Sequence, residues 1–502
     1  MATLEEGKYL NAADGRHYCF AGFPGPKIYE FPEGNKWVEH LLFGDYIEIR
    51  ELEIISNRVK VNARGSEGWI NITDINTERV LEVNFVDIGQ GDGCHIVTPD
   101  DQQIILDAGE FDQMNRYLWW RFYLYNRTEP LPFRFKVIIS HSDQDHYKGF
   151  GPVFDNDKIR ISHIYHNGIV ERPGESSPFG TVKKGYIYSL VKDTAQMKEI
   201  ITDPGKRNGN YSTYPLTLFQ ALKYNPDVSF SMISAEDRYL EGFDPSNRIY
   251  GKKFIIEILG PLVSRKDGVP ALKTMNDAGK DKNGHSVLMK IIYGNARILL
   301  GGDINEEFGE LINTHYRPVG NGQHPLQADV AKACHHGSNH FHTGFIQSVN
   351  ALATVISSGD EENFSHPRPD ALGAFGKWGY GDKPMIFSTE IARSNKEFTH
   401  QRMEEIFRLR DNVKAAEHEL LLITDRSNPS VARKVSRLEK KIADGNKLIN
   451  SNLTKYGMIN LRTNGELMII AQKLEVPSSK SKWDIQKMKY DDHSGRFERM
   501  EE

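Results

Sequence analysis

Short apolar runs that stop abruptly at Asp, His or Gly recur along the chain, and they constrain its fold more than any other feature. "QQIILDAG", "FKVIISH", "ARILLGGD", "ADVAKACHHG" and "ATVISSG" each read as a strand that finishes in polar residues or glycine. Strands apolar on successive residues are buried on both faces, and helices supply the cover. Segments such as "NEEFGELINTHY" can be those helices. The expected fold class is α/β (α+β), with chemistry gathered at the strand ends.

One strand end stands apart. "ISHSDQDHYKG" carries His141, Asp143, Asp145 and His146 within six residues. Buried charge of this density has to be paired or bound to metal. Residues two apart at a strand end point the same way, so His141 and Asp143 can grip one ion. Asp145 and His146 fall at the following turn and can face a second. The spacing fits neither a helical HExxH site nor an EF-hand loop. Mixed nitrogen and oxygen donors suit Zn²⁺, Mn²⁺ or Fe²⁺ better than Ca²⁺. One cluster cannot complete two spheres, so further ligands are sought at other strand ends. Asp303 closes "ILLGGD", where a carboxylate could bridge two ions, and His335 and His336 close "KACHH". His285 opens "HSVLMK", and His366 lies in "SHPRPD". His163 and His166, in "ISHIYHNG", read as structural. "GQGDG" reads as turn chemistry, with Asp92 a candidate outer-shell group.

Composition narrows the setting. With 39% hydrophobic and 26% charged residues and a formal net charge of -5, the chain is not coated in positive charge, although a local basic groove remains compatible. Cys19, Cys94 and Cys334 form no CxxC pair, which argues for a reducing cytosol over a disulfide framework. The polar N-terminal stretch lacks a signal-peptide pattern, and no apolar run approaches the length of a membrane span. A cytoplasmic location is expected.

The flanks differ from the core. Residues 1–80 alternate apolar and polar positions between Gly, Asn and Asp turns, the pattern of a small β-barrel. The core is assigned to 81–398, with a Gly/Pro/Ser-rich insertion at about 171–280 holding loops and helices. Ile406, Leu409, Val413, Ala416, Leu420 and Ile423, then Val431, Val435, Leu438 and Ile442, predict a helical hairpin over 399–452. "MINLRTNGELMIIAQKLE" predicts a β-hairpin turning at Asn464-Gly465, within a 453–502 region that ends in a polar, extended tail. Trp119-Trp120 and "RFYLYNR" read as an amphipathic helix on the sheet, with nucleotide stacking as the alternative.

Six motifs in register, "FVDIGQGDGCHIV", "IILDAG", "ISHSDQDHYKG", "GHSVLMKIIYGNARILLGGD", "KACHHGS" and "SHPRPD", resemble metallo-β-lactamase-fold hydrolases, over about 82–385. They are most similar to the branch related to the hydrolase domain of the competence protein ComEC. "VKVNARGSEGWINITDI" resembles a bacterial SH3-like domain. The resemblance implies a four-layered αββα sandwich with a dinuclear site at one sheet edge. It implies that His141 and Asp143 hold one metal and that Asp145 and His146 hold the other. Asp303 would bridge, and one of the adjacent histidines, His335 by preference, would complete the second sphere. His285 stands near the family's third histidine, and Asp107 matches an aspartate that orients the site by hydrogen bonds. Asp143 replaces the family's second histidine, as in the related branch, and leaves the metal open between Zn and Mn.

The activity so implied is metal-dependent phosphodiester hydrolysis, most of all a nuclease on DNA, by a hydroxide held between two ions. Asp145 or Asp303 would orient the nucleophile or accept its proton. His366, His336, Ser338 and Lys332 are candidates for contacting phosphate or protonating the leaving group. DNA uptake-related or anti-phage roles would suit the terminal modules as partner-docking elements. The alternatives are a hydrolase of a small ester or cyclic nucleotide, and a subunit active only within a multi-protein complex.

Overall fold

The strand Gln103–Ala108 shows how the core is sorted: Ile104 and Leu106 face one hydrophobic cluster, and Ile105 between them faces another. In the neighbouring Phe135–Ile139, Ile138 joins the first cluster, and Val137 and Ile139 the second. Alternation through a strand buried on both faces requires two partners, one on each side. The computed structural model describes residues 2–174, 177–318, 323–359, 365–389, 400–423, 429–452, 458–474 and 477–501. It is a mixed α/β protein built on several sheets.

Two large sheets hold the core. One runs in the order Ser229–Met232, Ile161–His166, Phe135–Ile139, Gln103–Ala108, Gly93–Val97, Leu81–Phe85, Ile459–Thr463, Leu467–Lys473, Trp483–Asp491, Arg496–Arg499. The other runs Arg248–Ile249, Lys252–Gly260, Leu288–Tyr293, Ala296–Gly301, Val330–Lys332, Ala353–Ile356, Met385–Ser388. A single cluster joins them, with Val83, Phe85, Ile104 and Ile138 from the first and Ile256, Met289, Ile298 and Val355 from the second. On the far side of the first sheet, Met114, Leu118, Val153, Met197 and Leu218 pack from helices. On the far side of the second, Phe308, Ile312 and Phe345 pack from helices against Leu288 and Leu299. Each sheet is antiparallel at first and then parallel, from Gln103–Ala108 in one and Ala296–Gly301 in the other. The carboxyl ends of those parallel strands deliver Asp107, His141, Asp303, Lys332 and, just beyond, His335 and His336.

Two expectations change here. The 171–280 region holds the helices Thr194–Thr202 and Thr213–Gln220, but it also supplies Ser229–Met232 and Lys252–Gly260 to the two core sheets. "FIIEIL" is a buried strand hidden among turn-rich neighbours. What stands outside the two sheets is a four-stranded patch from Val182–Lys183, Tyr186–Ile187, Ser264–Lys266 and Val269–Lys273. The C-terminal region likewise extends the first sheet. Its hairpin pairs with Leu81–Phe85, and the expected tail forms two further strands around buried Met488 and Phe497. Most other residues of those two strands keep solvent contact, so the composition reads as polar.

The N-terminal residues form their own nine-stranded sheet around Cys19, Ile47, Val59, Val61 and Ile70. Ser56 and Asn57 both take positive φ in the hairpin between Tyr46–Ile55 and Arg58–Ala63, as a two-residue turn requires. Leu42, Phe43 and Val80 pack against Ile469, Ala471 and Trp483 of the C-terminal strands. Below them, Arg462 is fully buried between Asp45 (3.6 Å) and Glu82 (3.2 Å), and Arg121 reaches Glu82 at 2.6 Å. The helices His400–Leu421 and Pro429–Asn452 pair, and Ile406, Val413 and Ile449 dock on Tyr125 and the two tryptophans, Trp119 and Trp120. Those tryptophans therefore serve packing. The expected boundary at 398 and most of the "DRSNPS" interruption lie outside the described residues. Among the described residues no helix is long and apolar enough to cross a membrane.

Candidate metal centre

The site begins where Phe135–Ile139 ends. Ser140 and His141 leave the strand, Asp143 stands at the N-cap position, and Asp145 and His146 lie in the short helix Gln144–Tyr147. The "GQGDG" loop folds over this turn. Gly91 has φ +102, and a Cβ there would lie 1.8 Å from the Asp145 carbonyl oxygen. The glycine allows that approach, and the Asp92 amide donates to the same carbonyl at 3.2 Å. Asp107, His335 and His336 hold positive φ of 55°, 51° and 53°. Non-glycine residues in this region cost of order 1–3 kcal/mol each, and such strain gathers at functional sites.

Three imidazoles are fixed in one orientation by what binds Nδ1. His146 Nδ1–H donates to Asp107 Oδ2 at 2.9 Å, and Asp107 Oδ1 accepts the Ser140 amide at 2.7 Å. His336 Nδ1 lies 3.1 Å from the Ser357 carbonyl, which can only accept. His141 Nδ1 faces Ser140 Oγ (3.0 Å) and Ser286 Oγ (3.2 Å), and the Ser286 hydroxyl spends its own proton on the Asn283 carbonyl. The Nε2 atoms of all three are buried without a hydrogen-bond partner, as is Asp303 Oδ1. Orphaned nitrogens converging on carboxylates are what a metal would satisfy, with the Nδ1 contacts setting tautomer and aim.

The donors fall into overlapping groups of three whose ligand atoms all lie within 4.8 Å of one another: His141–His146–Asp303, Asp145–His146–His336 and Asp92–Asp303–His336 among them. His146 Nε2 lies 3.3 Å from Asp303 Oδ1 and 3.9 Å from Asp145 Oδ1, and His336 Nε2 lies 3.2 Å from Asp303 Oδ2 and 3.5 Å from Asp145 Oδ2. Each carboxylate thus turns one oxygen to each imidazole, a mixed nitrogen and oxygen donor set that could hold a divalent ion.

The electrostatics agree. Burial by itself would lower the His146 and His336 pKa values, but Asp303, with Asp107 and Asp145 around His146 and Asp92 and Asp145 around His336, raises both well above the usual range. Burial would raise the Asp303 carboxyl, and the surrounding histidines instead hold it well below its ordinary value. Asp92 is also raised by burial, and Lys332 and His336 overcome this and bring it to about 2.

The structure brings together Asp92, Asp107, His141, Asp145, His146, Asp303 and His336, with Asp143, Lys332, His335 and His366 around them and His285 turned away. The favoured His335 stands at the rim, its Nε2 3.9 Å from Asp303, and His336 fills the inner position. The left-handed turn sends the two neighbours to different sides. His285 is turned away: its Nε2 meets the Lys273 carbonyl at 2.6 Å and its ring sits edge-on to Phe308. Lys332 cannot reach substrate, because its three donors go to Asp92, the Gly301 carbonyl (3.0 Å) and the Ala333 carbonyl (2.9 Å). Ser338 Oγ accepts the His340 amide. His366 stacks beside His336 and His335 at ring distances of 6.2 and 5.8 Å, and burial with those two rings lowers its pKa to about 4. Asp143 Oδ2 lies 3.5 Å from His141 Nε2, but Oδ1 is paired with Lys282.

Sequence reasoning missed Ser286, Lys282, Asn283 and Glu171. Ser286 was within reach: it follows His285, and one of any adjacent pair at a strand start faces the site. Lys282 carries no comparable signal. No family model matches the chain, and no curated protein matches it, so the site is read from its own geometry.

Proposed function

We propose that the chain is a metal-dependent phosphodiesterase, and specifically a nuclease acting on DNA. The observation that carries the reading is the convergence of the bare His146 and His336 Nε2 atoms on the Asp145 and Asp303 carboxylates. The helix–sheet–sheet–helix packing and a site at the strand ends fit the αββα layering of the metallo-β-lactamase fold.

A divalent ion held by His146, Asp303 and His336, with a position left open, would supply Lewis acidity and would lower the pKa of water from 15.7 to about 7. The chain's residues do the rest. Asp107 and Ser357 hold His146 and His336 in the ligating tautomer. Asp145 keeps a partly exposed carboxylate at the mouth, placed to accept a proton from the attacking water. His366, neutral near pH 7, stands beside His335 and His336 as an N–H donor to a phosphate oxygen.

The test is cleavage of end-labelled single- and double-stranded DNA and of RNA, in Zn²⁺ and in Mn²⁺, beside bis-p-nitrophenyl phosphate and nitrocefin. Metal-dependent DNA cleavage that Asp145→Ala lowers at least 100-fold supports the reading. Hydrolysis of nitrocefin alone, or full activity in Asp145→Ala, removes it.

A further inference from the structure

We propose that this centre holds one ion, not two, and that the Lys282 ammonium stands in the place of the other as a fixed positive charge facing the substrate. The substrate clause rests on the phosphodiesterase reading; the ion count does not.

The argument starts from donors. The half of the site beside His141 offers the bare His141 Nε2 and shares in His146 and Asp303, both of which the other half also uses. The residue that faces His141 from the strand Leu288–Tyr293 side is Ser286, and its oxygen already accepts the Asp303 amide at 2.9 Å and sits on His141 Nδ1. It supplies no imidazole. Asp143 is the remaining donor, and it is engaged: Oδ1 pairs with Lys282, and the Asn283 amide nitrogen, turned toward it, donates to Oδ2 at 2.6 Å. Among the described residues, Asp143 belongs to none of the groups of three donors that close on a common point. Protein zinc sites take three or four side-chain ligands, and with His146 and Asp303 serving the other half this one keeps only His141 free. A divalent ion placed there would also meet the ammonium at short range.

Lys282 is built to do more than neutralise Asp143. It bridges Asp143 and Glu171, the latter at 3.1 Å, which uses two of its three donors. Its side chain and that of Asp143 are 18% and 29% exposed, so both keep access to solvent. The contrast with Lys332 is direct: that ammonium is buried and spends all three donors within the protein. Lys282 therefore has a proton left to offer an incoming anionic oxygen. One ion on the His146 side and one ammonium on the Asp143 side make a two-charge clamp without a second metal.

The protein loaded with excess Zn²⁺, and separately with Mn²⁺, then desalted, is analysed for metal per chain by mass spectrometry. One ion per chain is expected, retained in Asp143→Asn and lost in His336→Ala. Two ions in the wild type, none, or loss of the ion in Asp143→Asn overturns the proposal. In the cleavage assay, Lys282→Met is expected to lower kcat/KM by at least tenfold with metal content and melting temperature unchanged, and Lys282→Arg to recover part of it. Unchanged kcat/KM in Lys282→Met removes the substrate contact. A wild type that carries one ion but cleaves no phosphodiester keeps the one-ion assignment and defeats the phosphodiesterase reading instead.

Discussion

The Asp107 carboxylate takes the proton of His146 Nδ1 at 2.9 Å and, through its other oxygen, the Ser140 amide at 2.7 Å, so one side chain sets both a ligand and the turn that carries it. Removing such a partner costs about 10–100-fold in metal affinity. Asp107→Asn is expected to fold and to bind Zn²⁺ weaker by that factor, measured by competition with a chromophoric chelator. Wild-type affinity would show that His146 needs no orienting group.

Metal uptake should strengthen with pH. His146 and His336 are protonated well above the usual histidine range in the metal-free site, and binding must displace those protons. Apparent affinity should rise by about tenfold per pH unit for each proton released, followed at pH 6, 7 and 8. The metal-free fold shows the opposite sign. With folded pKa values raised, the stabilisation is complete below about pH 6.5 and is lost as pH rises through the folded values. Added metal should therefore raise the melting temperature more at pH 8 than at pH 6.

His285 and His336 separate cleanly. His336→Ala should abolish metal retention. His285→Ala should keep the ion and lose about 1–3 kcal/mol of stability, because the Lys273 carbonyl is left without its donor. Metal loss in His285→Ala would return it to the coordination sphere.

Gly91→Ala tests the loop. Its Cβ would stand 1.8 Å from the Asp145 carbonyl oxygen at φ +102, so the loop or the ligand turn must move. Metal affinity should fall at least tenfold, read in the same chelator assay. Gly65→Ala, also at positive φ but with nothing within 4 Å, is the control and should leave affinity unchanged.

The buried Glu82 is the acid-sensitive joint. Burial would raise its carboxyl, and Arg121, Arg462 and Arg79 together depress it far below the usual range. Its stabilisation is present above the unfolded carboxyl value of about 4.3 and is lost as pH falls. Glu82→Ala should cost about 3–5 kcal/mol at pH 7, since it removes the carboxylate shared by Arg121 and the fully buried Arg462 and leaves the latter only the more distant Asp45. Denaturant melts at pH 7 and pH 4 should keep most of the gap between wild type and variant, because folded Glu82 stays ionised at the lower pH.

The legible parts were those with a local signal. Strand ends rich in His and Asp stood out because an apolar run precedes each, and the helical hairpin showed in its three-and-four repeat. The choice between His335 and His336 was not legible, because it turns on two successive left-handed residues that no side-chain pattern encodes. The membership of Lys252–Gly260 and Trp483–Asp491 in core sheets was hidden for a different reason: flanking turns masked the first and a half-exposed surface the second. Lys282 reaches Asp143 only through the tertiary fold.

The pairing of Leu81–Phe85 with Ile459–Thr463 has a consequence for how the molecule tolerates breakage. Everything between those strands, including both halves of the centre, is enclosed by a seam of backbone hydrogen bonds and a buried arginine. The helical hairpin lies on that closed body as a detour between the Met385–Ser388 edge of one sheet and the Ile459–Thr463 strand of the other. A cut within either hairpin helix would leave two fragments held by a sheet, with the candidate metal ligands still inside the enclosed body.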